Sequence, residues 1–282
     1  MTLSFSEGGE VQKAREASTV IVLRERDNEL QVFCVQRSQQ SAFLGGAVVF
    51  PGGKVDAHDH DPSWEQLATL PAHRRSEAFD RASYVAACRE TIEEAGILAT
   101  SPLRDPASIA ALRQAIKTEP FASALRTRGL QLDLGDVLPF ARWVTPEAET
   151  RRFDTKFFVL LCPEAQEGAH DDHETIRSFW ATPAEVLRGF LQKELALFPP
   201  THRSLEVLST LHNFAEVRAY AQGANLDPIC PVLVRTPLGS ATQLALALPG
   251  DPAHPIPEPR VPGLSRYVLQ DDQWLPAAAP ST

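Results

Sequence analysis

Between Arg89 and Ile97 the chain reads Arg-Glu-Thr-Ile-Glu-Glu-Ala-Gly-Ile, with three carboxylates inside five residues. A helix starting near Phe79 would set Glu90 and Glu94 one turn apart on one face, with Glu93 beside them. Val85, Cys88, Ile92 and Ala95 would form the opposite, apolar stripe, and Gly96 would close the helix. No lysine stands at the i+4 positions that would relieve the repulsion between these glutamates. A solvated acidic face is the plain reading of such a cluster. A hard divalent cation is the chemical one, because Mg²⁺ prefers carboxylate oxygens and completes its shell with water and substrate phosphate.

Upstream, an apolar run ends in Phe50-Pro51-Gly52-Gly53. A strand, then Pro-Gly-Gly, then R-E-x-x-E-E-x-G and an apolar residue resembles the signature of Nudix hydrolases. That resemblance implies an α/β (α+β) fold, an α/β/α sandwich with a mixed sheet. It also implies hydrolysis of a small phosphorylated substrate, a nucleoside diphosphate linked to another moiety, with Mg²⁺ or Mn²⁺. Carried over, Glu90, Glu93 and Glu94 hold the metal, Glu90 and Glu93 take part in catalysis, and Arg89 orients the glutamates. Gly52 and Gly53 form the loop against the substrate. One departure stands out: the pattern G-x5-E-x7-R puts its arginine 14 positions after the glycine, but Arg89 follows Gly53 by 36. About 22 extra residues, from about Ala57 to Ala78, fall inside the box, and Asp56, Asp59 and Asp80 all remain candidates for its early acidic position.

The chain as a whole limits the alternatives. It has 282 residues and 43% hydrophobic content, enough for one large domain with an appendage. A net charge of −9 argues against a nucleic-acid polymer as partner. No apolar run is long enough for a membrane span, and the N-terminus lacks a signal-peptide pattern. Cys34, Cys88, Cys162 and Cys230 are widely spaced and read as reduced thiols of a cytoplasmic protein. The chain does not end in Ser-Lys-Leu, so a peroxisomal address is not expected.

Taken in order, residues 1–16 read as a flexible N-terminus, Ser18–Leu23 and Gln31–Gln36 as strands, and Asp27-Asn28 as their turn. Gln36-Arg37-Ser38, then Phe43 and the Pro-Gly-Gly loop, resembles the coenzyme A diphosphatase branch with an insertion inside the box. So does Trp143-Val144-Thr145-Pro146 followed by Arg151-Arg152-Phe153-Asp154. Arg37, Arg151 and Arg152 are therefore candidates for substrate phosphate, set against arginines that merely fix strand ends. Two helices are expected over 105–117 and 119–128, strands over 136–144, 157–162 and 175–180, and a helix capped by Thr182. Glu174, in the acidic loop before Trp180, is the candidate general base. Phe198-Pro199-Pro200-Thr201 reads as a break and His202–Gln222 as one long helix.

The Nudix domain is thus expected over 17–222, followed over 227–282 by a proline-rich β appendage. The appendage would hold three short strands, over 231–235, 243–248 and 266–269, and a tail of seven residues. It would pack on the catalytic domain or on a second subunit of a homodimer. The resemblance implies cleavage of coenzyme A or acyl-coenzyme A to 3′,5′-ADP and (acyl-)phosphopantetheine. Other nucleoside diphosphate derivatives (ADP-ribose, NADH, dinucleoside polyphosphates, nucleoside triphosphates) are the second reading. A ligand-sensing module without catalysis is the third, which the intact set Arg89, Glu90, Glu93 and Glu94 disfavours.

Overall fold

A strand with an unbroken apolar run must be covered on both faces along that run. β1 (Arg15–Arg26) carries Val20–Leu23 and β2 (Glu29–Arg37) carries Val32–Val35, all of them buried. They form a hairpin whose turn, Asp27-Asn28, sits at φ 54° and 63°, the left-handed region these two residues tolerate. The computed structural model describes residues 11–38, 45–70, 78–163, 166–169, 175–238 and 241–280.

After the hairpin come β3 (Val48–Val49), β4 (Gly52–Lys54), a 3₁₀ turn (Ala57–His60), α1 (Trp64–Leu67) and α2 (Arg81–Ala95). Next are β5 (Thr100–Ser101), α3 (Pro106–Ala115), α4 (Phe121–Thr127), β6 (Gln131–Leu132), β7 (Val137–Val144), β8 (Phe153–Leu161) and β9 (Thr175–Ala181). The remainder is α5 (Pro183–Leu191), α6 (Pro199–Leu208), α7 (Phe214–Gly223), then β10 (Val232–Leu238), β11 (Ala241–Ala247), β12 (Arg266–Gln270) and β13 (Gln273–Ala277).

The main sheet runs β3-β2-β1-β8-β7, with β4 joined to β1 and β9 to β2. Only β1 and β8 are parallel, so the sheet is mixed, as expected. Side-chain alternation then divides the core. Val20, Val22, Phe33, Val35, Phe158 and Leu160 pack with α2, α3 and α4 on one face. Ile21, Leu23, Val32, Cys34, Phe157 and Val159 pack with α5, α6 and the C-terminal sheet on the other. The part of the insertion that is described joins the first core: Trp64, Leu67 and Leu70 are buried there, and the Trp64 ring stacks tilted on Phe121 at 5.4 Å.

The C-terminal half differs from the sequence reading in two places. Pro199 and Pro200 begin α6 rather than break the chain, since proline suits the first helical turn, where no backbone donor is needed. The expected long helix is two, because Asn213 caps a new start: its Oδ1 accepts from Glu216 N at 3.0 Å. The C-terminal sheet has four strands, β10-β11-β12-β13, not three. Asp271 and Asp272, at φ 47° and 60°, make the turn into β13, and Pro276 and Ala277 belong to that strand rather than to a tail. This sheet packs on α6: the His202 Nδ1 and Tyr267 hydroxyl lie 3.0 Å apart, and the buried Arg203 side chain donates to the Leu264 carbonyl.

Candidate active site

β4 pairs with the N-terminal end of β1, Ser18 facing Gly53 and Thr19 facing Gly52. α2 lies over the same end, tied down where the buried Ser18 hydroxyl donates to the Ser83 carbonyl at 2.8 Å. The helix is set at both ends by its sequence. Asp80 caps the start through Ser83 N at 3.0 Å, and Gly96, at φ 66°, ends it. Val85, Cys88, Ile92 and Ala95 are buried against the sheet, so the glutamates face the loop.

Both glycines are required by close approach. A β-carbon at Gly53 would run into the Glu90 carboxylate, and one at Gly52 would stand 2.7 Å from Thr19 Oγ1. Gly52 N donates to Glu94 Oε2 at 3.0 Å, which fixes the last glutamate on the loop. Arg89 gathers the others. Its Nη1 donates to Glu90 Oε1 at 2.7 Å and to Glu93 Oε2 at 3.4 Å, and its Nη2 donates to the Lys54 carbonyl at 2.9 Å. Nε and Nη2 form a fork on Asp59, at 3.1 and 2.9 Å.

Of the three acids considered for the early position of the box, Asp59 is the one that Arg89 grips with two donors. It stands six positions after Gly53, at the nominal place, and the extra residues follow it. It is 2% exposed and also accepts from Asp56 N at 2.8 Å, which holds the 3₁₀ turn closed. Asp56 lies farther out, 3.6 Å from Arg89, and Asp80 serves only as the helix cap. The insertion braces the turn, because the Trp64 indole donates to the His58 carbonyl at 2.9 Å.

One arginine among four acids leaves an excess of negative charge. Burial drives the Glu90 carboxyl up to about 7; the charge and hydrogen bond of Arg89 oppose this, and Glu93 and Asp59 add to it. Glu93 is raised for the same reasons, burial first. For Arg89, burial alone would favour the neutral form, but its bonds to Asp59 and the charge of Glu90 outweigh that and keep it protonated. Among the described residues no group of three or more His, Cys, Asp or Glu side chains is already arranged to hold a metal ion. The donors present suit an open site instead. Glu90, Glu93 and Glu94 are hard oxygen donors on one turn of α2, Glu93 is 41% exposed, and a cation would offset the burial and, to a lesser degree, the like charges that raise Glu90.

The remaining candidates fall in different places. The β1–β2 register, in which Leu23 faces Val32, carries Arg37 towards the end of the sheet where Ser18 meets Gly53. Arg151 is exposed, with its guanidinium 5.7 Å over the Phe153 ring. Arg152 is buried and spent on structure: Nε donates to the Thr145 carbonyl at 3.1 Å and Nη1 to the Gln12 carbonyl at 2.8 Å. Asp154 pairs instead with Arg142, at 2.9 and 2.7 Å. Phe43 and Glu174 lie outside the described residues. Arg113, which sequence reasoning missed, donates twice to the Glu93 carbonyl, at 3.1 and 2.7 Å, and once to the Ala169 carbonyl at 2.9 Å. It thus holds the C-terminal turn of α2, and nothing 20 residues away along the chain signals that contact.

Two cavities bracket β1. The larger, about 670 Å³ around Arg24 and Arg26, has none of the α2 glutamates in its wall. The smaller, about 190 Å³, adjoins the site through Thr19, which touches Gly52, and is lined mainly by apolar and aromatic side chains.

A mixed sheet between helices, with an acidic helix held under a Pro-Gly-Gly loop, defines the Nudix class of fold. The crystal structure of a NUDIX hydrolase from Alicyclobacillus acidocaldarius superposes with a TM-score of 0.62 at 30% identity, covering 74% of this chain and 97% of that one. The family described as the NUDT19 Nudix domain matches residues 77–208. Acyl-coenzyme A diphosphatase NUDT19 of Gallus gallus is 25% identical over 298 residues, 88% of this chain and 78% of its own. The Homo sapiens protein of the same name is 27% identical over 271 residues, 78% and 71% of the two chains. The chain belongs to the Nudix hydrolase family and is a Nudix pyrophosphohydrolase. Enzymes of this family work with divalent metal ions.

Proposed function

We propose that the substrate is coenzyme A or acyl-coenzyme A, cleaved at the pyrophosphate to 3′,5′-ADP and (acyl-)phosphopantetheine. The names of the relatives that match most of the chain support the substrate. The arrangement in which Arg89 collects Glu90 and Glu93 against Gly53, with Glu94 on Gly52, supports the chemistry.

Glu90, Glu93 and Glu94 would hold Mg²⁺ or Mn²⁺. Bound there, the ion supplies neutralisation of the pyrophosphate oxygens and a water of lowered pKa. Arg89 keeps the carboxylates together before substrate arrives, so little reorganisation is left for the transition state. Glu174 or one of the α2 glutamates would accept the proton of the attacking water. Arg151, 5.7 Å over the ring of Phe153 in the cavity wall, would hold the ribose 3′-phosphate, and Arg37 the pyrophosphate. Arg152, buried, with Nε and Nη1 on the Thr145 and Gln12 carbonyls, would serve by fixing the segment that carries Arg151.

The test is hydrolysis of coenzyme A, acetyl-coenzyme A, dephospho-coenzyme A, ADP-ribose and NADH with Mg²⁺ or Mn²⁺, with Glu94→Gln as blank. Preference for coenzyme A over its dephospho form, lost in Arg151→Ala, is the expected result. A preference for ADP-ribose or NADH would replace the substrate and leave the chemistry in place.

A further inference from the structure

The smaller cavity lies between two parts of the molecule that the sequence separates widely. The main sheet and the chain before α6 supply Thr19, Phe50, Trp143, Phe157 and Phe198, and the C-terminal region closes it with Pro231 and Leu246. Leu246 is buried on β11, in the same core as Phe50 and Trp143. We infer that this cavity is a nucleobase site for the substrate, and that the C-terminal sheet exists in part to complete its wall. The inference rests on the pyrophosphohydrolase reading above for the placing of the rest of the substrate.

The composition of the wall decides what it takes. No lysine or arginine lines it among the described residues, so it does not hold a phosphate. A volume of about 190 Å³ walled by aromatic rings suits a planar ring that stacks. Glu149 lies in the wall and is 5% exposed, and Thr19, Thr145, Thr155 and Thr201 add hydroxyls. A carboxylate in such surroundings is matched by the exocyclic amine of adenine, a donor. An alkyl chain would only strip its solvent. The position agrees with the chemistry, since Thr19 touches Gly52 and Gly52 N holds Glu94. The cavity lies on the α6 face of the sheet, so a base in it would reach the α2 carboxylates past the sheet end where Thr19 faces Gly52.

The experiment is calorimetric titration of the full-length protein with 3′,5′-ADP, 5′-AMP, 5′-IMP and 4′-phosphopantetheine. It is repeated on Leu246→Trp, which fills the cavity, and on Glu149→Gln, which keeps its shape. Expected are at least tenfold weaker 3′,5′-ADP binding in Leu246→Trp with phosphopantetheine unchanged, and a tenfold preference for AMP over IMP that narrows in Glu149→Gln. In turnover, Leu246→Trp should lower kcat/KM for acetyl- and octanoyl-coenzyme A by one common factor. Should the loss grow with acyl length, or phosphopantetheine binding fall with Leu246→Trp, the cavity takes the acyl arm and the inference is overturned. Equal AMP and IMP binding in the unchanged protein overturns it as well, and does not depend on Leu246→Trp folding. Nucleotide binding as expected without turnover of any diphosphate would keep the base site and remove the hydrolase reading.

Discussion

α2 and α6 lie on opposite faces of one sheet, and each carries an arginine beside glutamate, yet the two arrangements do opposite things. Arg89 on α2 meets four acids, Asp56, Asp59, Glu90 and Glu93, and cannot neutralise them all. Arg203 on α6, 1% exposed, meets one acid, Glu206, at 2.5 Å, and lies 5.4 Å over the Tyr267 ring under the C-terminal sheet. A balanced buried pair with a carbonyl and a ring around it docks one element on another. An unbalanced cluster at an open edge stores repulsion that a cation can relieve. The site is recognisable by the charge left over, and not by the presence of charge.

The sharpest way to break the comparison is to remove one member from each side. Glu90→Gln should lower kcat about 10³-fold, the scale of losing a preorganised electrostatic contact, while leaving the metal-free protein at least as stable at pH 8. Arg203→Met should do the reverse, costing about 1–3 kcal/mol in denaturant unfolding, because the Leu264 carbonyl loses its donor and Glu206 keeps only His202. The kcat of the folded protein should stay near normal. An Arg203→Met protein with full stability and lost turnover would erase the distinction.

Asp59→Asn comes next. It loosens Arg89 without touching the α2 glutamates, and should lower Mn²⁺ affinity or activity roughly 10–100-fold, the usual effect of losing a partner behind the ligands. Mn²⁺ binding followed by electron paramagnetic resonance separates this from unfolding.

The third prediction concerns pH. In the fold Glu90 keeps its proton up to about pH 7, against an ordinary value of 4.5. Between these values the folded state binds more protons than the unfolded one, so metal-free stability falls as pH rises through that window. Saturating Mg²⁺ should flatten this fall, and thermal melts at pH 5 and pH 8 with and without metal would show it. The smallest effect belongs to Trp64→Phe, which keeps the ring on Phe121 but loses the bond to the His58 carbonyl. About 1 kcal/mol of stability is expected to go.

How much could be read beforehand also differs between the two faces. The α2 face was legible because its signals are local. Glu90, Glu93 and Glu94 sit at helical spacing, Gly96 marks the end, and Pro-Gly-Gly precedes them in order. Asp59 was only one of three candidates, since sequence shows its distance from Gly53 but not its bond to a residue 30 positions on. On the other face, Leu205, Leu208, Leu211 and Phe214 keep an apolar rhythm across the gap between α6 and α7, and this hid the new start at Asn213. The Asn-x-x-Glu pattern at Asn213 and Glu216 was the available signal. β13 escaped because Pro276 argues against a strand; it is tolerated there on the last strand of the sheet. The cavity was invisible altogether, as its wall draws on residues from Thr19 to Leu246.

We propose that the leftover negative charge of α2 holds the metal used to cleave a coenzyme A pyrophosphate. The direct measurement is mass-spectrometric analysis of coenzyme A incubated with the protein and Mg²⁺, beside the same mixture with chelator and with Glu90→Gln. Expected are 3′,5′-ADP and phosphopantetheine in equal amounts from the first mixture alone. Intact coenzyme A in all three, or the same products with chelator and with Glu90→Gln, would contradict it.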